Sequence, residues 1–157
     1  MEIISNSVAQ TLKIGRRIAK NLKPADIICL FGQLGTGKTI LTKGIGQGLG
    51  IKKDKIISSS FILIRTYSQG KFPLYHFDLY RLRKTNDIIA LGYEEYLYGN
   101  GVTVIEWADR LNYLLPEEFL KIELIFKTKK QRLLKFSASG SRYRVLLKKI
   151  SDEDISC

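Results

Sequence analysis

The chain has 157 residues, 45% of them hydrophobic, enough for one sizeable core and too few for two independent ones. Its longest apolar run, Ile27 to Phe31, falls far short of the roughly 18 residues of a membrane span, and Met1-Glu2-Ile3-Ile4 lacks the basic region of a signal peptide. Two cysteines, Cys29 and the last residue Cys157, suggest neither a disulfide framework nor a metal site, so a single cytoplasmic domain over 1–157 is expected, frayed from about 151 onward. The formal charge of +11 is unevenly placed, with ten Lys or Arg against the single acid Glu123 between Phe119 and Ile150. Such a segment reads either as a face for nucleic acid or an acidic partner, or as a solvated basic surface.

Ser7 and Gln10 have capping-box spacing, and Val8, Leu12, Gly15, Ile18 and Leu22 then recur at helical intervals, predicting a first helix that ends before Pro24. Ile27 to Phe31 reads as a strand covered on both faces. It runs into Gly32-Gln33-Leu34-Gly35-Thr36-Gly37-Lys38-Thr39, which fits the phosphate-binding pattern G-x-x-x-x-G-K-[ST] at every fixed position. Glycines let main chain approach a polyphosphate closely, and the free N–H groups of the following helix point at the anion. Lys38 would meet the outer phosphates, and the Thr39 hydroxyl would serve magnesium. Ile40, Leu41, Ile45 and Leu49 mark that helix, with Gly50 as its C-terminal cap; Gly44, Gly46 and Gly48 weaken it unless close packing compensates.

Ile56 to Tyr67 and Phe72 to Leu82, around the turn Ser68 to Lys71, predict a hairpin. In its second strand Tyr75, Phe77 and Leu79 form an apolar face, and His76, Asp78 and Tyr80 a polar one. Thr85 is expected to cap a helix to about Leu91, Gly92 opens a short helical piece through Leu97, and Asn100-Gly101 turns into the strand Val102 to Ile105. After a loop containing Pro116, Leu120 to Phe126 and Arg132 to Ala138 predict a second hairpin around a basic turn. Arg142 to Ile150 fits a helix or a strand. The fold class is α/β: a P-loop NTPase-like sheet flanked by helices, with β-hairpin additions.

A phosphate loop needs a metal-holding acid at a nearby strand end, and two residues have that context. Glu106 follows a strand, and Asp78 lies between Phe77 and Leu79, where an unpaired carboxylate is costly. Either acid could instead pair with an arginine such as Arg81 or Arg110. Ser58 to Ser60 read as a switch segment or as a polar loop, and Trp107 as a wall of the nucleotide site, a partner surface or core. His76 has no neighbouring Cys or His and reads as structural.

The chain resembles the TsaE (YjeE) family, small P-loop ATPases of bacterial tRNA threonylcarbamoyladenosine synthesis. The resemblance rests on Gly32 to Thr39, Tyr75-His76-Phe77-Asp78-Leu79-Tyr80-Arg81-Leu82, Leu91-Gly92-Tyr93-Glu94-Glu95-Tyr96 and Val104-Ile105-Glu106-Trp107-Ala108-Asp109-Arg110. It implies ATP and Mg2+ as cofactors, magnesium held through Thr39 and Glu106, Asp78 in the catalytic site and Trp107 close to both. Ser60 falls where the family has threonine in a Ser-Pro-Thr-Phe run, and Ser59 replaces the proline. The resemblance also places the base near Ser7 and Thr11 and near Arg132. It implies an accessory ATPase working with TsaB and TsaD proteins, with tRNA contacted directly or through the assembly. A small-molecule kinase shares the loop and size, but no arginine-bearing lid is evident between the loop and Glu106. A guanine-reading Asn-Lys-x-Asp segment is absent. A nucleotide-dependent binding module without hydrolysis remains open at this level.

Overall fold

The computed structural model describes residues 1–57 and 62–153, so Ser58, Ser59 and Ser60 of the serine run, and the tail with Cys157, lie outside the described residues. At its centre is β2 (Ile27–Phe31), whose first four side chains are fully buried, as an apolar run between two layers requires. β2 pairs in parallel with β5 (Val102–Glu106) on one side and with β6 (Phe119–Phe126) on the other. β5 pairs in parallel with β4 (Leu74–Asp78), and β3 (Ile64–Tyr67) closes that edge antiparallel to β4. On the opposite flank β7 (Arg132–Ser139) and β1 (Glu2–Ser5) add antiparallel, giving a seven-stranded mixed sheet of order β1-β7-β6-β2-β5-β4-β3.

The first hairpin is shorter than its composition predicts. Ile56 is fully buried, but it follows a 3-10 turn over Lys53–Lys55 and packs its side chain against Gly46, so it fills the core from outside the sheet. β4 stops at Asp78 because the chain turns there: Leu79 N–H donates to the Glu106 carbonyl (3.2 Å), and Leu82 N–H closes back on Leu79 (3.0 Å). The predicted polar face of β4 is not solvated either. His76 is 2% exposed and Asp78 8%, since β4 lies inside the sheet and helix covers that face. β1 carries no strand signal of its own; its four residues form a strand only through pairing with β7.

α1 (Val8–Lys20) begins at Ser7, whose hydroxyl accepts from Gln10 N–H (3.1 Å). The reciprocal bond of the capping box shifts by one residue, with Gln10 Oε1 accepting from Asn6 N–H (2.7 Å). α2 (Lys38–Gly48) ends as predicted at Gly50, which has φ +92°; Gly50 and Ile51 N–H groups bond to the Gln47 and Gly46 carbonyls in a Schellman arrangement. The glycines of α2 are matched by Gly15 of α1. A Cβ at Gly15 would lie 2.6 Å from the Leu41 carbonyl oxygen, and one at Gly44 2.5 Å from that of Leu12.

α3 (Thr85–Ala90) is capped by Lys84, with Thr85 already inside the helix, and α4 (Tyr93–Leu97) follows Gly92. Two short 3-10 turns within Ala108–Leu114, separated by a kink at Asn112 (φ +50°), precede the predicted loop containing Pro116. The last element is a helix, α5 (Ser141–Asp152), whose final turn takes in Ser151 and Asp152, where the sequence predicts fraying. Arg142 clamps Asp26 through two hydrogen bonds, and the Tyr143 hydroxyl accepts from Ile27 N–H at the start of β2 (2.7 Å). Burial pushes the Tyr143 hydroxyl pKa up to about 12, so this clamp keeps its proton through the neutral range. Among the described residues no helix is long and apolar enough to cross a membrane.

Candidate functional site: the loop at the end of β2

Gly32 to Thr39 joins the carboxyl end of β2 to the first turn of α2, and three of its glycines have positive φ: Gly32 (+139°), Gly35 (+80°) and Gly37 (+103°). At Gly32 a side chain is excluded by space as well, because a Cβ would meet the Leu124 carbonyl oxygen at 2.4 Å. Gly37 starts α2, whose N-terminal N–H groups therefore face the hollow of the loop. Thr36 stiffens the turn by donating to the Gln33 carbonyl (2.8 Å), whereas Leu34 stands at the tip, 67% exposed.

Lys38 is 4% exposed, and its ammonium donates to the carbonyls of Gly32 (2.6 Å) and Gln33 (2.8 Å). Burial lowers its pKa from the ordinary lysine value, while the charges of Glu106, Asp109 and Asp78 pull the other way. The ammonium also lies 3.9 Å from the centre of the Trp107 ring. Trp107 reaches that place through a left-handed backbone (φ +58°), a conformation unusual for a bulky residue. Tyr80 packs on its ring at 5.0 Å.

The two acids stand side by side, since the parallel register of β4 and β5 pairs Asp78 with Glu106. Glu106 is 2% exposed, with one carboxylate oxygen accepting from the Thr39 hydroxyl (2.8 Å). Its other oxygen is approached by the Thr42 hydroxyl (3.1 Å) and by His76 Nε2 (2.8 Å). Asp78 accepts from Tyr80 N–H (3.2 Å). Lys38, Thr39, Asp78, Glu106 and Trp107, together with Gly35 and Gly37, line an open cavity of about 450 Å³.

A second, smaller cavity of about 120 Å³ lies across the loop and brings Ser7, Thr11 and Arg132 to Gly35, Thr36 and Gly37. The Thr11 hydroxyl is already engaged with Ser5 Oγ (2.7 Å) and the Ser7 carbonyl (3.3 Å). The Arg132 guanidinium stacks 4.3 Å from the Phe126 ring and donates to the carbonyls of Thr128, Lys129 and Gln131.

His76 and Thr42 were missed as site residues by sequence reasoning. The period-two pattern placed His76 on the face of Asp78, which is the signal that could have found it. Thr42 lies three residues after Thr39, one helical turn on, and carried no motif.

The donor set suits a small hard cation: a hydroxyl and two carboxylates are all oxygen ligands. Among the described residues there is no group of three or more His, Cys, Asp or Glu side chains that could cage a metal alone. Two carboxylates and a hydroxyl beside a helix N-terminus instead fit magnesium shared with phosphate oxygens.

The loop, the helix that follows it and the parallel centre of the sheet define a P-loop NTPase-like α/β protein. The crystal structure of Bacillus subtilis YdiB superposes with a TM-score of 0.84 at 35% identity, covering 98% of this chain and 95% of that one. The family model for Threonylcarbamoyl adenosine biosynthesis protein TsaE matches residues 5–134. The tRNA threonylcarbamoyladenosine biosynthesis protein TsaE of Bacillus subtilis is 39% identical over 145 residues, 92% of this chain and 90% of that protein. Its namesake in Treponema pallidum is 39% identical over 124 residues, 79% of this chain and 90% of that protein. The chain belongs to the TsaE family, as its four motif stretches led one to expect.

Proposed function

We propose that this chain is a magnesium-dependent ATP-binding and ATP-hydrolysing subunit that serves the formation of threonylcarbamoyladenosine in tRNA in the cytoplasm, with TsaB- and TsaD-type partners. It does not itself attach the threonylcarbamoyl group. The observation that carries the reading is the hydrogen bond from Thr39 to the buried Glu106, beside a buried Lys38 at the head of α2. That bond joins the last residue of the phosphate loop to a strand-end acid, the pairing a nucleotide-bound magnesium ion requires.

In this reading the N–H groups at the start of α2 receive the phosphates, and Lys38 exchanges the Gly32 and Gln33 carbonyls for the outer phosphate oxygens. Thr39, Glu106 and Asp78 would hold the cation through their side-chain oxygens. Magnesium, when bound, neutralises charge across the transferring phosphoryl group. Asp78 orients the attacking water, and Trp107 walls one side of the cavity and limits its access to solvent. Ser7, Thr11 and Arg132 frame the space for the base, and a preference for ATP over GTP follows from the family resemblance together with the missing guanine-reading segment.

Calorimetry with ATP, with and without magnesium, tests the binding half, and phosphate release with the chain alone and then with partners and tRNA tests the rest. The reading requires magnesium-dependent ATP binding and hydrolysis that rises in the assembly. A folded chain that binds no ATP in either condition would overturn it.

A further inference from the structure

We infer that His76 is the positioning residue for Glu106: it holds one carboxylate oxygen against the scaffold, so that the other is presented, with Thr39, to the cation. The inference rests on the magnesium-nucleotide reading above and assigns a role to the chain's single histidine. His76 Nε2 lies 2.8 Å from Glu106 Oε1, and the two side chains are 1% and 2% exposed. The contact is set by strand register. His76 is two residues before Asp78 on the same face of β4, and Asp78 is the register partner of Glu106.

Glu106 Oε1 has a second neighbour, Thr42, but that hydroxyl has one proton and two acceptors in reach, Glu106 Oε1 at 3.1 Å and the Lys38 carbonyl at 3.0 Å. The second acceptor is the ordinary backbone bond of a helical threonine. His76 is therefore the donor that Oε1 does not share, which requires the proton on Nε2. The ring itself is backed by Tyr67, stacked at 6.5 Å with an interplanar angle of 28°. Tyr67 is steadied in turn, its hydroxyl accepting from Ile57 N–H (3.4 Å).

A glutamate has three side-chain torsions, and a carboxylate freed at Oε1 can rotate away from Thr39. Magnesium tolerates little deviation from octahedral geometry, so loss of orientation reads out as a higher magnesium requirement. Removing such an outer partner typically costs ~10–100-fold in metal affinity. Nucleotide contacts made by the loop itself are left in place.

The test uses His76→Leu, His76→Asn and His76→Gln in the full chain, with ATP binding measured by calorimetry across magnesium concentrations. Glutamine carries its amide nitrogen near the Nε2 position and asparagine near Nδ1. The expected result is a half-saturating magnesium concentration raised ~10–100-fold in Leu and Asn, largely restored in Gln, with magnesium-free ATP affinity unchanged in all three. The lone imidazole gives one nitrogen-15 signal pair, expected to show Nε2 protonated and to move in Glu106→Gln. A folded Leu or Asn variant with the wild-type magnesium requirement, or an imidazole signal indifferent to Glu106→Gln, overturns the inference while leaving the function standing. Wild-type protein whose ATP binding ignores magnesium overturns both. If the Leu variant fails to fold, the contrast between Asn and Gln decides the matter, because equal magnesium requirements in those two remove the positioning role.

Discussion

β2 divides the sheet into halves of three strands each, and the two halves differ in direction and in charge. On one side β5 and β4 run parallel to β2, and residues 64–106, from the start of β3 to the end of β5, balance five acids with five basic residues, two of the acids standing at the strand ends beside the loop. On the other side only β6 is parallel, and residues 119–150 carry ten basic residues against one acid. Parallel strands bring their carboxyl ends to one edge, which is why Asp78 and Glu106 emerge side by side next to the loop. β6 shares that direction, so its end delivers the basic turn at Lys127 to Gln131 to the same edge. The phosphate loop thus sits between an acid wall and a basic wall. Strands that end together at one edge therefore supply it with two kinds of chemistry, the acid half suited to metal and water and the basic half to the outer surface.

The variant that breaks the site most severely is Lys38→Ala, because Lys38 is buried at the centre of the loop and is the only charged side chain there. ATP affinity should fall about 100-fold or more, as when one member of a buried charge pair is truncated. Unchanged affinity by calorimetry in a folded variant would remove the phosphate-loop assignment. Within the acid wall, Asp78→Ala should lower turnover by about 100-fold or more with ATP affinity nearly kept, as expected for a group that acts on the attacking water. Glu106→Ala should raise the magnesium requirement ~10–100-fold and lower turnover with it. Equal loss of ATP binding in both variants, at an unaltered magnesium requirement, would show the two acids to be misassigned.

The halves were also unequally legible in the sequence. The loop, β2, β5 and the second hairpin could be read because each is a local pattern: an apolar run, a glycine motif or an alternation. Ile56 misled because a buried isoleucine outside the sheet looks the same in sequence as one within it. β1 depends on a partner at the far end of the chain, and nothing in Glu2 to Ser5 announces β7. In the site, the acids were legible as strand ends, whereas the His76 contact required knowing which strands are neighbours and in what register. The lack of a neighbouring Cys or His in the sequence gave His76 a structural reading and drew attention away from a carboxylate partner.

On the basic wall the effect on ATP should be smaller. Arg132 is held by three carbonyls and the Phe126 ring beside the 120 Å³ cavity, so Arg132→Ser removes both a cation and a packed surface. ATP affinity is expected to drop about 5-fold, the size of one modest interaction. No change in affinity would detach Arg132 from the base and return it to the turn.

The smallest effect on ATP belongs to the triple change of Lys127, Lys129 and Lys130 to Ser. All three side chains are exposed at the turn, whereas Arg132 beside them is partly buried. The turn holds its shape through main chain and Thr128: Lys127 N–H donates to the Gln131 carbonyl (3.1 Å), and Thr128 Oγ1 accepts from Lys130 and Gln131 N–H. Gln131 then ties it to the start of α1 through Asn6 (2.7 Å). None of these bonds uses a lysine side chain, so folding should be unchanged and ATP affinity of the isolated chain largely intact, any small loss arising at Lys130, which also lines the 120 Å³ cavity. If the turn meets tRNA phosphates, each lysine releases about one counterion, and the salt dependence of tRNA binding should flatten by about three in logarithmic slope. Assembly-dependent activity should fall in parallel. A triple variant with full tRNA modification, and with partner and tRNA binding unchanged at every salt concentration, would make the turn a solvated surface and leave the acid wall and the loop as the whole of the working edge.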